Sequence, residues 1–534
     1  MNQVEIKRRQ IQLCAVGLWL VVIWILGKSL GDNGVAYLAA ALEAFIFLWA
    51  IVGANVSDTL GKLLRGRNVR GQYKNADKLF KCTFVFQGIA GMIGSFLFFC
   101  LANYFSETLL QVPYSRFLIM ILSPCVFLRC VNGVILGKFQ GDGSELPTTV
   151  ASILRPLFLL GFGLLFSRML TDYGEKVSNL LGQDAFTSMY CGVGVVIAMV
   201  LTEVLVLVFL LLIYKGSSRS RRKKDSEGMR TTDSFAGQIY VLYGSMGLYI
   251  LQGLLLFLPV ILGLIFYRKN VSDIDVAAQS YGLYIGKYLV VCGVMIALIA
   301  SSGFPSAVKA GGLLRKEENR AARNIFQSGF KAVLVYSLFF AVLFTVMSSQ
   351  LAETISESMV SLLAEMLAAG SGIVLFGTVA YYCYTVLKVA GKKHWVLGGL
   401  ALANMVYAVS LSLWFGKNPG NIMALVYGSL VYTGVLAVLL TAMICVIIRG
   451  GMDPLRIFAI PVGCVCVAGL LGHILGKALT PHLGGTVTFV AVFVLSWMLY
   501  LMLVVFLRCF REQELSVIPG GRILKGLGQL LGVF

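Results

Sequence analysis

Long apolar runs separated by short polar segments dominate the chain. Each run is close to the roughly 20 apolar residues that a helix needs to cross the hydrocarbon core of a bilayer. Read in order, the runs predict about fourteen transmembrane helices. Their predicted bounds are 11–30, 36–61, 82–104, 114–137, 148–168, 188–214, 237–266, 276–303, 328–349, 357–386, 395–415, 421–448, 455–478 and 484–507.

The polar segments between these runs alternate in charge. Four of them are rich in lysine and arginine, namely 62–81, 215–230, 309–331 and 388–393. The segments between those four are poor in basic residues or acidic, as at Asp172 and Glu353. Lysine and arginine concentrate in cytoplasmic loops of membrane proteins. The pattern therefore predicts a multi-pass protein of the cytoplasmic membrane with both termini in the cytoplasm, and an even number of spans agrees with this.

The chain also contains an internal repeat. Residues 76–80 resemble residues 322–326, and residues 136–141 resemble residues 386–391, at offsets of about 246 and about 250 positions. Two matches in register predict duplicated halves of the same membrane orientation, related by an axis along the membrane normal. The predicted fold class is an all-α polytopic membrane protein, with two pseudo-symmetric six-helix bundles and two additional C-terminal helices.

This repeat divides the chain into five predicted parts. The segment between the halves has the composition of a disordered linker. The parts are an N-terminal transmembrane bundle at 1–214, a cytoplasmic basic linker at 215–234, a C-terminal transmembrane bundle at 235–449, two further transmembrane helices at 450–507 and a cytoplasmic tail at 508–534.

The tail has the pattern of an amphipathic helix that lies in the membrane interface. Its apolar residues Ile523, Leu524 and Leu527 are interleaved with Arg522 and Lys525. It follows the last span and offers few residues to bury. We therefore expect deletion of 519–534 to leave the amount of folded protein unchanged.

Composition supports the membrane assignment. The chain is 58% hydrophobic and 13% charged, with a mean hydropathy of +0.85, whereas soluble domains carry about 25% charged residues. The net charge of +19 is explained by the cytoplasmic loops, and no nucleic-acid-binding motif accompanies it. The twelve cysteines are spread through apolar runs without the spacing of a zinc site. The sequence thus predicts no nucleic-acid partner and no metal site.

No constellation of catalytic residues is present. The chain has three histidines, and neither a His-Glu-x-x-His nor a Gly-x-Ser-x-Gly motif occurs. Gly27-Lys28-Ser29 is the only fragment of a phosphate-binding loop, and its leading glycine is replaced by Val22. The sequence predicts a protein that is not an enzyme, that needs no cofactor, and that draws on substrate gradients, ions or membrane potential for transport.

A short elbow between two apolar runs carries the most specific motif. Residues 138–145 form this elbow, with two glycines suited to a tight turn and with Pro147 placed to open the next helix. Gly137-Lys138-Phe139-Gln140-Gly141, followed by Pro147-Thr148-Thr149, resembles the signature of polysaccharide exporters of the multidrug/oligosaccharidyl-lipid/polysaccharide superfamily. This group includes stage V sporulation protein B and, more distantly, the lipid II flippase.

The resemblance implies a function. Such a protein moves an undecaprenyl-pyrophosphate-linked glycan from the inner to the outer leaflet by alternating access. The resemblance also implies an acidic residue near the position of Arg155, where this chain is basic.

Ionisable residues inside the apolar runs are the candidates for a functional site. A charge at the centre of a span costs about 2.5–3.5 kcal/mol on insertion scales, so such groups normally face a bundle interior or a wet cavity. They are Lys28, Glu43, Asp58, Arg129, Arg155, Glu203, Lys287 and Glu365.

Four of these residues are the predicted substrate-binding set: Glu43, Arg129, Arg155 and Lys287. Glu43 and Lys287 lie deepest, one in each half, and the resemblance implies that the helices carrying them line a central cavity. They also fit a mutual structural ion pair. Arg129 and Arg155 flank the elbow and fit either a headgroup site or a structural pairing with Glu203.

The sequence thus favours a flippase or exporter of a lipid-linked oligosaccharide, whose partners are the glycan substrate, membrane lipids and a coupling ion. The alternative is a drug/cation antiporter of the multidrug and toxic compound extrusion type, which would depend on acidic cavity residues. A membrane scaffold without transport activity is the third class, and it would not need intramembrane charges.

Overall fold

In the computed structural model, every regular element of the described residues is a helix. The chain divides into two compact units. Unit 1 comprises Met1–Phe257 and Ile274–Gly282, and unit 2 comprises Leu258–Asp273 and Leu283–Phe534. The structure describes residues 3–110, 112, 114–144, 146–225, 234–271, 274–356, 359–448, 455–483, 485–510, 512–515 and 521–530.

The described residues contain twenty α-helices and three π-helical turns. The helices are α1 Gln3–Val52, α2 Val56–Val69, α3 Tyr73–Cys100, α4 Ser115–Leu122, α5 Pro124–Gly141, α6 Leu146–Leu181, α7 Ala185–Asp225, α8 Phe235–Asn270, α9 Ile274–Leu283, α10 Val290–Arg315, α11 Asn319–Val346, α12 Ser348–Ile355, α13 Val360–Gly370, α14 Gly372–Val389, α15 Lys393–Lys417, α16 Met423–Ile448, α17 Ile460–Leu483, α18 Gly485–Phe506, α19 Glu512–Leu515 and α20 Gly521–Leu530. The π-helical turns are Tyr104–Leu109, Tyr284–Leu289 and Leu455–Ala459.

Thirteen helical stretches are long and apolar enough to cross a membrane, which confirms a polytopic all-α membrane protein. The first stretch, Gly17–Val69, has 53 residues and would be about 80 Å long if straight. Such a length exceeds twice the roughly 30 Å of the hydrocarbon core. The backbone leaves the helical conformation at Gly31, with φ 63° and ψ 178°. This break separates the predicted spans 11–30 and 36–61, so the stretch accounts for two of the fourteen.

The internal repeat is visible in the lengths of corresponding helices. α3 and α11 both have 28 residues, and each follows a turn with a left-handed residue, Gly71 and Glu317 respectively. α5 and α14 both have 18 residues and begin after Ser123 and Ser371. These serines break the predicted spans 114–137 and 357–386 into two helices each. The same break at the same place in both halves supports the duplication.

The elbow motif is explained by close packing between α2 and α5. A Cβ atom on Gly137 would lie 2.9 Å from the Ser57 carbonyl oxygen, and one on Gly141 would overlap Leu64 Cβ. Small residues four positions apart allow two membrane helices to approach this closely. Gly141 therefore serves helix packing within α5. The turn itself uses Gly143, whose φ is 83°, so the polar elbow is shorter than predicted.

We expect Gly141→Ala to destabilise the protein. The added methyl group has no room beside Leu64, and overpacking of this kind costs about 1–3 kcal/mol. Gly133 lies in the same helix, and nothing lies within 4 Å of a Cβ added there. Gly133→Ala should therefore be neutral or stabilising, because alanine is the better helix former. Melting curves of both variants in detergent test this contrast, and equal melting temperatures would contradict the packing role of Gly141.

The predicted basic linker is partly helical. α7 continues to Asp225, so the first part of the 215–234 segment extends this helix, and the prediction of a disordered linker is wrong there. Residues 226–233 lie outside the described residues. The cytoplasmic location of the segment and the predicted boundaries of the five parts stay predictions.

The C-terminal tail is packed into unit 2, contrary to the expectation that it offers few residues to bury. Leu515 and Leu524 belong to the same buried cluster as Phe339 of α11 and Tyr500 of α18. The basis for expecting the tail to be dispensable is therefore removed. Residues 516–520 and 531–534 lie outside the described residues.

Candidate functional site

Three ionisable residues of unit 1 meet at a single carboxylate. Glu203 of α7 accepts hydrogen bonds from Arg129 of α5 and Arg155 of α6. The Arg129 Nε–Glu203 Oε1 distance is 3.1 Å, and the Arg155 Nε–Glu203 Oε1 distance is 3.2 Å. A second contact joins Arg155 Nη2 to Glu203 Oε2 at 3.3 Å. The pairing that the sequence offered as a structural alternative for the two arginines is therefore present.

Asn132 completes the arrangement, and we call these four residues the Glu203 cluster. Asn132 Nδ2 donates to Glu203 Oε2 at 3.0 Å and to the main-chain carbonyl of Glu203 at 3.2 Å. Asn132 lies three residues after Arg129, so both side chains leave α5 on neighbouring faces. Sequence reasoning missed Asn132. Its only signal was an amide one helical turn beyond an intramembrane arginine.

Arg129 is additionally supported by two aromatic rings of α1. Its guanidinium carbon lies 5.1 Å from the centroid of the Phe45 ring and 5.5 Å from that of Trp49. Contacts of this kind between a cation and an aromatic face contribute about 0.5–2 kcal/mol, more when water is excluded. Phe45 and Trp49 are four positions apart and therefore share one face of the helix. This support holds the guanidinium plane in place.

The charges of the cluster do not cancel. Two guanidinium groups face one carboxylate, so the cluster carries an excess of one positive charge when all three groups are ionised. The Glu203 side chain is 4% exposed, whereas those of Arg129 and Arg155 are 26% and 24% exposed. The positive groups are thus the accessible part of the cluster. Among the described residues, neither terminal nitrogen of Arg129 makes a hydrogen bond.

Glu43 lies elsewhere on α1 and takes no part in these hydrogen bonds. Its side chain is buried, as are the neighbouring residues Ala40, Ala41 and Ala44 of the same helix. Its Oε2 atom has no hydrogen-bond partner among the described residues.

Lys287 lies in unit 2, on the π-helical turn Tyr284–Leu289. Turns of this type inside α-helices occur frequently at functional sites. The lysine is buried, and its Nζ donates to Ser356 Oγ at 3.4 Å. Tyr284 and Tyr288 stack beside it on the same turn, with ring centroids 5.6 Å apart. Glu43 and Lys287 belong to different units, and their predicted pairing stays a prediction.

No protein-family model matches the chain. A curated protein with a detectable sequence match is stage V sporulation protein B of Bacillus subtilis (strain 168), which is 18% identical over 200 residues. The match covers 38% of this chain and 36% of that protein, so it spans well under half the length of either.

Several solved structures have a similar fold over most of this chain. An inward-facing multidrug resistance MATE family transporter of the MOP superfamily matches with a TM-score of 0.62 and 11% identity, over 82% of this chain and 96% of that one. The lipid II flippase MurJ in an inward closed conformation matches with a TM-score of 0.63 and 10% identity, over 94% and 99%. A MOP superfamily transporter from Pyrococcus furiosus, described as having a binding pocket of reverse polarity, matches with a TM-score of 0.59 and 12% identity, over 83% and 94%.

These solved structures are of transporters and a flippase. The matches at such low identity establish architecture, and they agree with the resemblance seen in the elbow motif. The chain has the fold of the MOP superfamily of membrane transporters.

Proposed function

We propose that this protein is a flippase that moves a lipid-linked oligosaccharide across the cytoplasmic membrane by alternating access. The observation that carries this proposal is the excess positive charge of the Glu203 cluster. The cluster lies within apolar, membrane-spanning helices, where an unused charge would be costly. An anionic substrate headgroup would bind to this excess positive charge and compensate it.

The pyrophosphate of a lipid-linked glycan fits the chemistry of this cluster. Arginine binds phosphate through two parallel N–H donors, and these charge-assisted hydrogen bonds are roughly twice as strong as neutral ones. Arg155 already donates from Nε and Nη2 to the two oxygen atoms of the Glu203 carboxylate. Two oxygen atoms of a phosphate group would accept from the same pair of donors. The two arginines would receive the headgroup while the lipid tail stays in the bilayer. The match to stage V sporulation protein B and to a lipid II flippase favours this class of substrate.

Both termini and the basic loops are proposed to lie on the cytoplasmic side, from the distribution of lysine and arginine. Lys287 of unit 2 is proposed as a further positive ligand of the substrate. A coupling ion is proposed as well, and Glu43 is the residue that would carry it.

We expect Arg155→Gln to reduce export of lipid-linked glycan by roughly ten- to hundredfold. The variant removes charge-assisted hydrogen bonds worth about 1.5–3 kcal/mol, which is one to two factors of ten. Protein levels should stay near normal, because Glu203 keeps Arg129 and Asn132 as partners. Labelling of glycan in the outer leaflet of cells that depend on this protein measures the effect.

Arg168→Gln is the matched control, since Arg168 is an exposed arginine of the same helix. It removes the same charge without touching the cluster and should leave export unchanged. Equal export by the Arg155→Gln and Arg168→Gln variants would refute a role of the cluster in substrate binding.

A drug/cation antiporter is the second candidate function, and the surroundings of Glu43 favour it. A buried carboxyl group without a hydrogen-bond partner at Oε2 is suited to bind and release a proton. Similarity to MATE family transporters is as close as similarity to the flippase. Efflux of a cationic dye by the unsubstituted protein that is abolished by Glu43→Gln would select this function.

A further inference from the structure

The most informative feature of the Glu203 cluster is that its acceptor is part of the protein. Glu203 presents two oxygen atoms to Arg155, which is the arrangement that a phosphate group would offer to the same side chain. The carboxylate therefore occupies the position of an anionic ligand. Resting on the proposed function, we propose that Glu203 is a built-in counter-anion, which the anion of the substrate displaces from Arg155 during each transport cycle.

The contacts between Arg155 and Glu203 are longer than a typical charge-assisted hydrogen bond. The three contacts between Arg155 and Glu203 measure 3.2, 3.4 and 3.3 Å. Charge-assisted hydrogen bonds between nitrogen and a carboxylate are typically about 2.7–2.9 Å long. In unit 2, Lys331 and Glu514 form such a bond at 2.7 Å. The Arg155–Glu203 contacts are therefore longer than the Lys331–Glu514 contact.

Asn132 continues to donate hydrogen bonds to Glu203 after the substrate has displaced the carboxylate from Arg155. It donates to Oε2 and also to the main-chain carbonyl of Glu203, so the amide ties the side chain to its own backbone. The carboxylate consequently keeps Asn132 and Arg129 as donors when Arg155 moves to the substrate. A buried charge that keeps hydrogen bonds avoids most of the penalty of being left unpaired.

The two arginines differ in their freedom to move. Arg129 bonds to Glu203 through Nε and lies over the Phe45 and Trp49 rings. Arg155 lies over no aromatic ring among the described residues, and it contacts the carboxylate with Nε and Nη2. We assign Arg129 as the stationary donor and Arg155 as the donor that exchanges the protein's carboxylate for the substrate's anion.

This exchange makes Glu203 a positioning residue that sets the affinity of the site. It competes with the substrate, which lowers affinity and speeds release. Neutralising it should therefore tighten binding and slow turnover together. A purely structural carboxylate predicts the opposite result, because its loss would misplace both arginines and weaken binding.

The test measures binding of geranyl pyrophosphate, a short polyprenyl pyrophosphate without glycan, to the purified full-length protein in nanodiscs. Glu203→Gln should lower the Kd about tenfold, which corresponds to about 1.4 kcal/mol. Glu203→Asp keeps the charge but withdraws it from Arg155 by one methylene group, so it should give a smaller gain. Combining Glu203→Gln with Arg155→Gln should abolish the gain.

Glu175→Gln is the control for general electrostatics, because Glu175 is an exposed acid of α6 outside the cluster. Its Kd should equal that of the unsubstituted protein. Unchanged or weaker binding by both Glu203 variants overturns the inference, as does the failure of all variants to bind the probe. If Glu203→Gln is poorly folded, the Kd of Glu203→Asp alone decides whether weakening the carboxylate contact tightens or weakens binding of the probe.

The outcome is separable from that of the proposed function. Tighter binding by the Glu203 variants supports the counter-anion even if no glycan reaches the outer leaflet, in which case the proposed substrate is wrong. Normal glycan export together with unchanged probe affinity of the variants rejects the counter-anion and leaves the proposed function standing.

Discussion

Glu514→Gln is expected to lower the thermal stability of the protein far more than Glu512→Gln in the same tail. Glu514 pairs with Lys331 of α11 at 2.7 Å, and the lysine side chain is only 4% exposed. Removing one partner of a buried ion pair costs about 3–5 kcal/mol, because the other charge is left without compensation. Lys331 Nζ keeps the Cys509 carbonyl oxygen at 3.0 Å and the Phe510 ring, whose centroid lies 5.3 Å away.

Glu512 supplies a matched control. It pairs with Lys525 at a similar distance, 2.8 Å, but the two side chains are 58% and 47% exposed. Exposed pairs contribute about 0–1 kcal/mol. Fluorescence-detected size-exclusion chromatography after heating measures both variants in detergent.

A second substitution isolates the buried charge as the cause. Lys331→Met removes the charge together with the need for a partner, and it leaves Glu514, which is 19% exposed, near water. The double variant Lys331→Met/Glu514→Gln should therefore be more stable than Glu514→Gln alone. If the double variant were instead the least stable of the three, the tail would be held by contacts other than this ion pair.

The amphipathic pattern of the tail allowed two structures, and the sequence could not choose between them. A face of leucines flanked by Arg522 and Lys525 fits a membrane interface or a protein surface equally well, since both bury an apolar face beside a polar one. The deciding partner is Lys331, about two hundred residues earlier in the chain. The local pattern of apolar and polar residues in the tail gives no information about a contact with a residue so distant in the sequence.

Hydropathy predicted the spans well because the bilayer demands long apolar helices from every crossing segment. It did not predict the breaks at Ser123 and Ser371, where a serine in an apolar run has little effect on the mean. The end of α7 was missed for a related reason. The composition of 215–225 is typical of disorder, yet the segment continues a helix that is already nucleated, and extending a helix is far easier than starting one.

The candidate site was predicted at the level of residue types. Arg129, Arg155 and Glu203 were candidates because they are ionisable residues inside apolar runs. Such a charge is costly unless it is paired or faces a cavity. Asn132 was missed, because a single amide in a span costs little enough to escape notice. Which oxygen atom of Glu203 each arginine contacts depends on how α5, α6 and α7 are rotated about their axes, and this rotation cannot be read from the sequence.

Lys287→Gln is expected to reduce export of lipid-linked glycan by roughly ten- to hundredfold, because a charge-assisted hydrogen bond to phosphate worth about 1.5–3 kcal/mol is lost. Lys287 is buried, and its Nζ atom donates to Ser356 Oγ at 3.4 Å. Lys309 of α10 is an exposed lysine, and Lys309→Gln should leave export unchanged.

The same experiment distinguishes the flippase from the antiporter when Glu43→Gln is measured beside Lys287→Gln. A flippase of an anionic headgroup depends on the lysine for binding, whereas neutralising Glu43 would slow only the return of the empty carrier and reduce export less. An antiporter driven by protons or sodium depends on the carboxyl group, so Glu43→Gln would abolish cation efflux and Lys287→Gln would be mild. The ranking of the two variants in outer-leaflet glycan labelling and in dye efflux therefore reports the sign of the charge that the carrier recognises. Full glycan export by Lys287→Gln would remove this lysine from the binding site and leave the anion to the Glu203 cluster alone.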